Sequence, residues 1–184
     1  MKTSYIFLAP GFEEIEAVTP IDVMRRAGMP VKTVAVAADG LVVAGAHGVP
    51  YVADMTIGEL PSDLEAEWLV LPGGMPGATN LVGSAELVSL LTTFPGNIAA
   101  ICASPSVVLG SLGLLEGKRA TCYPSMESFS REGVTFTGAR VERDGRFITG
   151  RGPAMALDFA AAIVEASCGP EKIQEVLSGM LVQQ

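Results

Sequence analysis

Cys102 is the residue whose surroundings in the sequence most favour covalent chemistry. It ends the apolar run NIAAIC (97–102), which is typical of a buried strand, and Pro105 just after it favours the start of a helix. A nucleophile on such a strand–turn–helix junction needs small residues two positions before and after it, and Ala100 and Ser104 meet that need. A helix N-terminus also lowers the pKa of a nearby thiol, which favours the nucleophilic thiolate.

The same residues also fit a cysteine that does no chemistry. A lone cysteine among apolar residues is commonly a small, inert core residue, so the local sequence leaves both interpretations of Cys102 open. The other two cysteines have weaker features. Cys168 falls at the end of a predicted helix, where the helix dipole disfavours a thiolate, and Cys122 lies near the end of a short strand-like stretch.

Two further segments could supply groups to a nucleophile. The turn PGGMPG lacks the Lys-Ser/Thr pair of a phosphate loop, but Gly73 and Gly74 could direct unhindered amides at an oxyanion. Glu16 follows the first predicted strand and has apolar neighbours. A carboxyl group held there with little water would have a raised pKa and could share a proton with a thiolate. For Glu13 and Glu14 we expect a solvated helix start instead.

These three segments fall where predicted strands end. Apolar runs that suit parallel strands covered on both faces alternate with helical patterns along the chain. Strands are expected at 4–9, 31–37, 67–72 and 97–102, and helices at 12–28, 84–93, 106–112 and 153–169. Ligands of open α/β sheets bind outside the carboxyl ends of the strands. Glu16, the glycine turn and Cys102 are therefore expected to meet at one edge of the sheet.

Two local signals add detail to this architecture. Pro20, inside the first helical pattern, predicts a kink or break near Thr19. Residues 140–149 alternate around Asp144 and Gly145, which predicts a small β-hairpin. We therefore expect an α/β fold with a mostly parallel open sheet, helices on both of its faces and one hairpin.

Length and composition restrict the class of protein. The 184 residues are most simply one domain (1–184), and 49% hydrophobic with 17% charged residues suits a globular fold. A net charge of −8 argues against nucleic acid as the main partner. The apolar start is too short for a signal peptide and no segment suits a membrane span, so we expect a cytoplasmic protein. Three cysteines and one histidine predict neither a disulfide framework nor a structural zinc site.

Five motifs in order along the chain resemble the ThiJ/PfpI superfamily, in particular the branch typified by the Parkinsonism-associated deglycase. They are PGFEEIEAVTPIDVMRRAG, VLPGGMPGATNL, IAAICASP, ATCYP and GRGPAMALDFAAAIVE. The resemblance covers nearly the whole chain. It implies a flavodoxin-like three-layer sandwich that usually forms a homodimer and needs no metal or organic cofactor. The mean hydropathy of +0.42 also suits self-association.

The resemblance also implies roles for individual positions. Cys102 matches the family's cysteine on the elbow after a central strand, and Glu16 matches the glutamate that hydrogen-bonds that cysteine. The amides of the family's oxyanion hole match those of Gly74 and Ala103, with Gly73 beside them. The resemblance also implies that Gly152 and Pro153 form part of the pocket wall. These matches favour the reactive interpretation of Cys102.

One position departs from the family pattern. Many relatives carry a histidine near the cysteine, in the stretch TCYPS, and this chain has Tyr123 there. Tyrosine is a poor general base near neutral pH because its unperturbed pKa is about 10, which argues against a Cys-His peptidase. His47 lies in a loop that approaches the pocket in relatives, and in a dimer this loop could approach the pocket of the other subunit. A solvated loop histidine is the favoured interpretation.

The leading hypothesis is a cysteine-dependent enzyme that acts on reactive carbonyls. Cys102 would attack a 2-oxoaldehyde such as methylglyoxal, or its adduct with an amine or thiol. Glu16 would move protons during the rearrangement to a 2-hydroxy acid. The alternative is a redox-responsive protein that senses oxidants through Cys102, and hydrolysis of peptides ranks third.

Overall fold

The structure, a computed structural model, describes residues 1–182. Its strands are β1 (Ser4–Leu8), β2 (Val31–Ala35), β3 (Val42–Ala44), β4 (Pro50–Val52), β5 (Met55–Thr56), β6 (Trp68–Leu71), β7 (Asn97–Ile101), β8 (Arg119–Ala120), β9 (Thr135–Phe136), β10 (Val141–Asp144) and β11 (Phe147–Gly150). Its α-helices are α1 (Glu14–Arg26), α2 (Gly77–Gly83), α3 (Ala85–Thr93), α4 (Ala156–Cys168) and α5 (Pro170–Gly179). It also has a π-helical segment, Pro105–Gly110, and short 3₁₀ segments at Ile57–Glu59, Glu127–Phe129 and Pro153–Met155. No helix within residues 1–182 has the length and apolar composition that crossing a bilayer would require.

The central sheet has seven strands in the order β10-β11-β7-β6-β1-β2-β5. Its pairings are parallel except that of β10 with β11. This order places β1, β6 and β7 side by side. The segments that follow their carboxyl ends are therefore neighbours, and the predicted mostly parallel α/β architecture is confirmed.

Alternate residues of the central strands pack on opposite faces of the sheet. On β1, Ile6 and Leu8 belong to the core on the side of α1, α4 and α5. Tyr5 and Phe7 belong to the core on the side of α2 and α3. All five residues of β1 are buried, as expected for a strand that is covered on both faces. The strand ends that carry the candidate site are thus fixed by two packed layers.

The four predicted strands form as β1, β2, β6 and β7. Each ends one or two residues earlier than expected, and the residues after β1, β6 and β7 leave the sheet and build the turns of the site. The patterns did not reveal α2, α5 or the short pairs β3–β4 and β8–β9. Apart from the ten-residue α5, these missed elements are short, so their hydrophobic periodicity covers few turns or pairs of residues.

We expected a kink or a break near Thr19. Helix α1 continues through Pro20, so there is no break. The helix packs along α4 and buries Ala17, Ile21 and Met24. Burial of this apolar face stabilises the helical path even though proline removes one backbone donor.

Two other predicted helices form with altered beginnings or geometry. The helix expected at 153–169 starts with a 3₁₀ turn and becomes α4 only at Ala156. The helix expected at 106–112 is the π-helical segment Pro105–Gly110, which is buried along its whole length. π-Helical turns are rare and often occur at functional sites, and this one follows Cys102.

The predicted hairpin forms between β10 and β11, but its turn is displaced by one residue. Asp144 pairs with Phe147, so the two central turn residues are Gly145 and Arg146. Gly145 has a φ of +58°, which glycine adopts without a steric penalty. The Asp144 carboxylate accepts a hydrogen bond from the backbone of Arg119 at 3.0 Å.

Candidate active site

Cys102 lies on a sharp turn between β7 and the π-helical segment. Its φ of +66° falls in the left-handed region, which residues other than glycine rarely adopt. The backbone is held on both sides, because the amide of Cys102 donates to the Gly150 carbonyl at 2.9 Å and its carbonyl accepts from the Tyr123 amide at 2.8 Å. A strained turn at the end of a strand is the geometry of a nucleophile elbow, which favours the reactive interpretation of this cysteine.

The small residues around the elbow pack against the neighbouring strand end. Ala100 and Ser104 are both fully buried. The Ser104 hydroxyl donates to the carbonyl of Pro72 at 2.5 Å. This hydrogen bond joins the segment after β7 to the glycine turn after β6, as the expected meeting of the two segments requires.

Gly73 lies between Cys102 and the carboxyl group of Glu16. Its amide donates to Glu16 Oε2 at 2.9 Å. A Cβ atom on Gly73 would lie 2.6 Å from both the Cys102 Cβ and Glu16 Oε2, closer than such atoms can approach. The close approach of the three residues therefore requires glycine at this position.

The Glu16 carboxyl group is completely buried and only partly hydrogen-bonded. Its Oε1 atom has no hydrogen-bond partner within residues 1–182. Burial raises the pKa of Glu16 to about 7, and the charge of Glu13 adds to this, whereas Cys102 and the Gly73 amide act in the opposite direction. A carboxyl group with this pKa can give or accept a proton near neutral pH.

The pKa of the Cys102 thiol is raised, first by burial and then by the neighbouring Glu16 carboxylate. The amides of Gly74 and Ala103 lower this pKa, but they are outweighed. The expectation of a lowered thiol pKa is therefore wrong, because it considered the helix N-terminus without the burial and the carboxylate. Since both groups are buried and two negative charges repel each other, the pair shares a proton and carries at most one negative charge near neutral pH.

Glu13 and Glu14 do not form the solvated helix start that we expected. Glu13 is buried and caps α1, since its Oε2 accepts a hydrogen bond from the Glu16 amide at 2.7 Å. Glu14 accepts from the His47 amide at 2.7 Å, and its Oε2 lies 2.8 Å from His47 Nδ1. This pairing raises the pKa of His47. The His47 side chain is 72% exposed, and in the described part of the chain it does not line the cavity of Cys102.

Glu13, Glu14 and His47 also bring three possible metal-ligand atoms within 4.8 Å of one another. The helix cap at Glu13 and the ion pair between Glu14 and His47 already explain this arrangement. The geometry therefore gives no independent reason to assign a metal ion to it.

Two cavities adjoin at Tyr123. Cys102 opens into a cavity of about 150 Å³, whose other lining residues are Gly74, Met75, Ala103, Tyr123 and Met126. The second cavity has a volume of about 240 Å³ and is lined by Tyr123, Pro124, Arg151, Gly152, Pro153, Ala154 and Met155. Gly152 and Pro153 thus line the second cavity, whereas Tyr123 borders both.

The sequence did not reveal that Met75 and Met126 line the cavity of Cys102, or that Glu13 is buried. Met75 lies inside the glycine turn, so its position in that motif was a usable signal. Met126 lines the cavity from the loop after β8, and no local pattern marks it. The burial of Glu13 depends on packing of the α1 start against the Gly73 carbonyl, which accepts the Glu13 amide at 3.0 Å.

The sheet, the elbow and the buried cysteine–carboxyl pair together define an α/β protein with a cysteine-centred site. Residues 2–166 match the DJ-1/PfpI family, and the chain belongs to this family. Protein dj-1beta of Drosophila melanogaster is 40% identical over 186 residues, which cover 98% of this chain and 97% of the relative. The glutathione-independent glyoxalase DJR-1.2 of Caenorhabditis elegans is 34% identical over 182 residues, which cover 96% of this chain and 94% of the relative.

A solved structure has the same fold over the whole chain, whereas two further relatives are much longer than this chain. The structure of Toxoplasma gondii DJ-1 in an oxidized form superposes with a TM-score of 0.93 at 33% identity, and the match covers 100% of both chains. This likeness confirms the flavodoxin-like sandwich that the resemblance implied. The chain spans less than half the length of two Arabidopsis thaliana DJ-1 homologs that it also matches, at 47% and 42%.

Proposed function

We propose that this protein is a cysteine-dependent enzyme that converts 2-oxoaldehydes to 2-hydroxy acids without glutathione. The observation that carries the proposal is the Cys102 thiol on a strained elbow, in contact with the buried Glu16 carboxyl and open to a small cavity. The naming of one close relative as a glutathione-independent glyoxalase supports the same activity.

In the first step, the Cys102 sulfur attacks the aldehyde carbon of the substrate. A sulfur–carbon bond forms, and the thiol proton passes to the Glu16 carboxylate. The aldehyde oxygen becomes an oxyanion, to which the amides of Gly74 and Ala103 would donate hydrogen bonds. Return of the proton from Glu16 to this oxygen gives a hemithioacetal.

In the second step, a proton moves within the bound substrate. Glu16 removes the proton from the carbon bonded to sulfur and passes it to the ketone oxygen, which gives an enediol. A proton is then delivered to the former ketone carbon, and the proton on the former aldehyde oxygen is lost. The product is a thioester of the 2-hydroxy acid, in which the former aldehyde carbon is oxidised and the former ketone carbon is reduced. Water then cleaves the thioester, which releases the acid and restores the thiol, so the sequence needs no external oxidant, metal or organic cofactor.

Peptide hydrolysis is not favoured by the same surroundings. A Cys-His mechanism needs an imidazole near the sulfur, but His47 is paired with Glu14 and largely exposed. Tyr123 borders the cavity in place of the histidine of many relatives, and a phenol is a poorer general base than an imidazole.

Redox sensing is the second candidate, because one observation favours it. Glu16 Oε1 is buried without a hydrogen-bond partner within residues 1–182, beside a thiol that could gain oxygen atoms. A protonated Glu16 could donate a hydrogen bond to such an oxygen. The structure of Toxoplasma gondii DJ-1 was solved in an oxidized form, which is consistent with oxidation chemistry in the family.

A homodimer is supported by an exposed apolar surface beside the start of α1. Ile15 and Val18 are 55% and 45% exposed, and Val42 and Val52 on the nearby β3–β4 pair are 60% and 66% exposed. Apolar side chains grouped on one surface often mark a protein interface. Light scattering at micromolar concentration should report a dimer, and a monomer would contradict this part of the proposal.

The proposed activity is tested by supplying methylglyoxal to the purified protein with no glutathione or other thiol present. We expect lactate to form in proportion to enzyme and time, and added glutathione to be unnecessary. If the wild-type protein forms no lactate above the buffer control, the proposed enzyme activity is wrong, and redox sensing becomes the leading candidate.

A further inference from the structure

The second cavity is larger than the one that holds Cys102, and the proposed reaction of methylglyoxal does not use it. Its volume is about 240 Å³, against about 150 Å³ for the cavity of Cys102. The two reacting carbons of a 2-oxoaldehyde need only the space beside the sulfur. Any group attached to the ketone carbon would extend away from the sulfur, and the second cavity shares the lining residue Tyr123 with the cavity of Cys102.

The walls of the second cavity are mainly apolar. Pro124, Pro153 and Met155 supply hydrocarbon and thioether surface, and the ring of Tyr123 supplies an aromatic edge. Arg151 is the one charged residue in the described lining, and its Nη1 donates to the Gly138 carbonyl at 2.7 Å. The cavity therefore suits an uncharged apolar group better than a sugar or a phosphate.

The aromatic ring of Tyr123 is well placed to contact such a group. A Cβ atom added to Gly152 would lie 3.5 Å from Tyr123 Cδ2, so the ring packs directly over the glycine backbone. The Tyr123 amide is bonded to the Cys102 carbonyl, which fixes the start of this side chain relative to the nucleophile. Rigid aromatic and proline surfaces favour flat aromatic ligands because stacking adds to simple burial.

The volume also fits an aromatic ring. An apolar protein cavity of about 150 Å³ is sufficient to bind benzene. Methionine side chains border both cavities, Met75 and Met126 on one and Met155 on the other. Methionine adapts its shape to the group that it contacts, so small differences among aromatic groups could be accommodated.

We propose that the second cavity is a subsite for the side arm of the substrate, and that the preferred substrates are 2-oxoaldehydes bearing an aryl or comparably bulky apolar group. Tyr123 is the specificity-determining residue, because it separates the reacting carbons from the subsite and contacts the arm. This proposal rests on the proposed function and adds the substrate class. An aryl 2-oxoaldehyde and water give an aryl 2-hydroxy acid by the same internal proton transfers, so no co-reactant is added.

The test compares kcat/KM for phenylglyoxal, followed as mandelate, with kcat/KM for methylglyoxal, followed as lactate. Short assays limit the side reaction of phenylglyoxal with arginine, and glutathione is left out because it would itself react with both aldehydes. The ratio of the two kcat/KM values is compared between proteins, which cancels the different intrinsic reactivity of the two aldehydes. Ala154→Phe adds a ring at an exposed alanine that lines the subsite, and Ala85→Phe makes the same change at an exposed alanine that lines neither cavity.

We expect Ala154→Phe to lower the phenylglyoxal-to-methylglyoxal ratio by about tenfold, the lower range for losing an apolar side-group contact in a pocket, and Ala85→Phe to leave the ratio unchanged. A ratio that Ala154→Phe does not lower would overturn the subsite. If that variant fails to fold, the wild-type protein still gives a test: a biphenyl analogue should be a poorer substrate than phenylglyoxal, because its arm exceeds the cavity. Equal rates for the two arms would then overturn the subsite.

The outcomes separate this inference from the proposed function. If methylglyoxal is converted and the ratio does not respond to Ala154→Phe, only the subsite is wrong. If neither aldehyde is converted by the wild-type protein, the proposed function itself is wrong.

Discussion

Cys102 and Cys122 lie on adjacent segments and are both buried, yet their surroundings differ. The two segments are joined by the hydrogen bond from the Tyr123 amide to the Cys102 carbonyl. Burial is the largest cause of a raised pKa for each thiol, and it raises that of Cys122 to about 12. Burial therefore does not distinguish a reactive thiol from an inert one in this molecule.

The distinguishing features are the groups that face each sulfur. Cys102 has a carboxyl group able to take its proton and two amides that favour the anion. The Cys122 thiol donates to the carbonyl of Tyr123, its own chain neighbour, and has the charges of Glu127 and Arg151 near it with opposite effects. Only Cys102 has the left-handed backbone of an elbow. Cys102 thus differs from Cys122 in having a carboxyl group that can take its proton and amides that stabilise its negative charge.

The largest effect is the expected difference in activity between a variant that lacks the Cys102 thiol and one that lacks the Cys122 thiol. Cys102→Ser should lower kcat/KM for methylglyoxal on the order of a thousandfold or more, because the nucleophile is lost. Cys122→Ser should retain most of the activity, since a hydroxyl can still donate to the Tyr123 carbonyl. Lactate production by the two variants measures the difference. Similar activity in both variants would remove the distinction drawn between the two cysteines.

The next effect concerns the close approach at Gly73. Gly73→Ala adds a Cβ atom that would lie 2.6 Å from Cys102 Cβ and Glu16 Oε2, so the pair must separate. Displacement of reacting groups by about 1 Å can cost about a hundredfold in rate, and we expect a loss of at least that size.

The matched control is Gly83→Ala, at a glycine whose added Cβ would meet no atom within 4 Å in the described chain outside its own helical turn and chain neighbours. We expect it to keep the wild-type kcat/KM. Circular dichroism and thermal unfolding show whether each variant is folded. A folded Gly73→Ala protein with full activity would mean that the spacing between Cys102 and Glu16 does not matter.

A third effect is a pH dependence of stability caused by Glu16. Its ordinary pKa of 4.5 applies in the unfolded chain, and burial raises the pKa to about 7 in the fold. Between these two values the folded protein binds more protons than the unfolded chain, so the free energy of unfolding falls as the pH rises. With about 1.4 kcal/mol for each tenfold change in proton affinity, the fall is at most roughly 3–4 kcal/mol.

Urea unfolding at several pH values between 4 and 8 measures this fall for wild type and Glu16→Gln. The glutamine side chain does not titrate, so the difference in free energy between the two proteins should change across the window and be constant below and above it. A difference that stays constant at all pH values would show that Glu16 has an ordinary pKa.

The smallest effect is a selectivity in oxidation. Mild peroxide should convert Cys102 to the sulfinate before Cys122 or Cys168, because Glu16 can take the thiol proton and then donate a hydrogen bond to the product. A hydrogen bond to a charged group contributes roughly 1.5–3 kcal/mol. Glu16→Gln keeps a donor and should preserve much of the sulfinate, whereas Glu16→Leu should not.

Peptide mass spectrometry after graded peroxide treatment follows the three cysteines separately. Oxygen appearing first on Cys122 or Cys168 would refute the selectivity. Equal Cys102 sulfinate in wild type and Glu16→Leu would show that Glu16 does not stabilise the product.

The sequence was sufficient to predict the meeting of Glu16, Gly73 and Cys102. Each follows the end of a buried strand, and the carboxyl ends of neighbouring parallel strands must lie together. The resemblance to a family placed the same residues independently. The hairpin and most of the strand positions were likewise predictable, because alternation and apolar runs are local properties.

Properties that depend on packing were not predictable in this way. The sign of the Cys102 pKa shift depends on how completely the thiol and Glu16 are excluded from water, which no local pattern records. The burial of Glu13 and the second cavity also arise from contacts between distant segments. Pro20 shows the same limit, since the packing of α1 on α4 prevailed over the local preference of proline for a break.

The most direct test of Cys102 as the nucleophile is to observe the bond that it forms. Excess wild-type enzyme is mixed with methylglyoxal, stopped with acid over a series of times, digested and mapped by mass spectrometry, since a thioester survives in acid. We predict that the peptide containing Cys102 gains the mass of one methylglyoxal and loses it as lactate appears, while the Cys122 peptide is unchanged. Lactate that forms while Cys102 remains unmodified at every time, or an adduct that forms on Cys122 instead, would contradict the assignment.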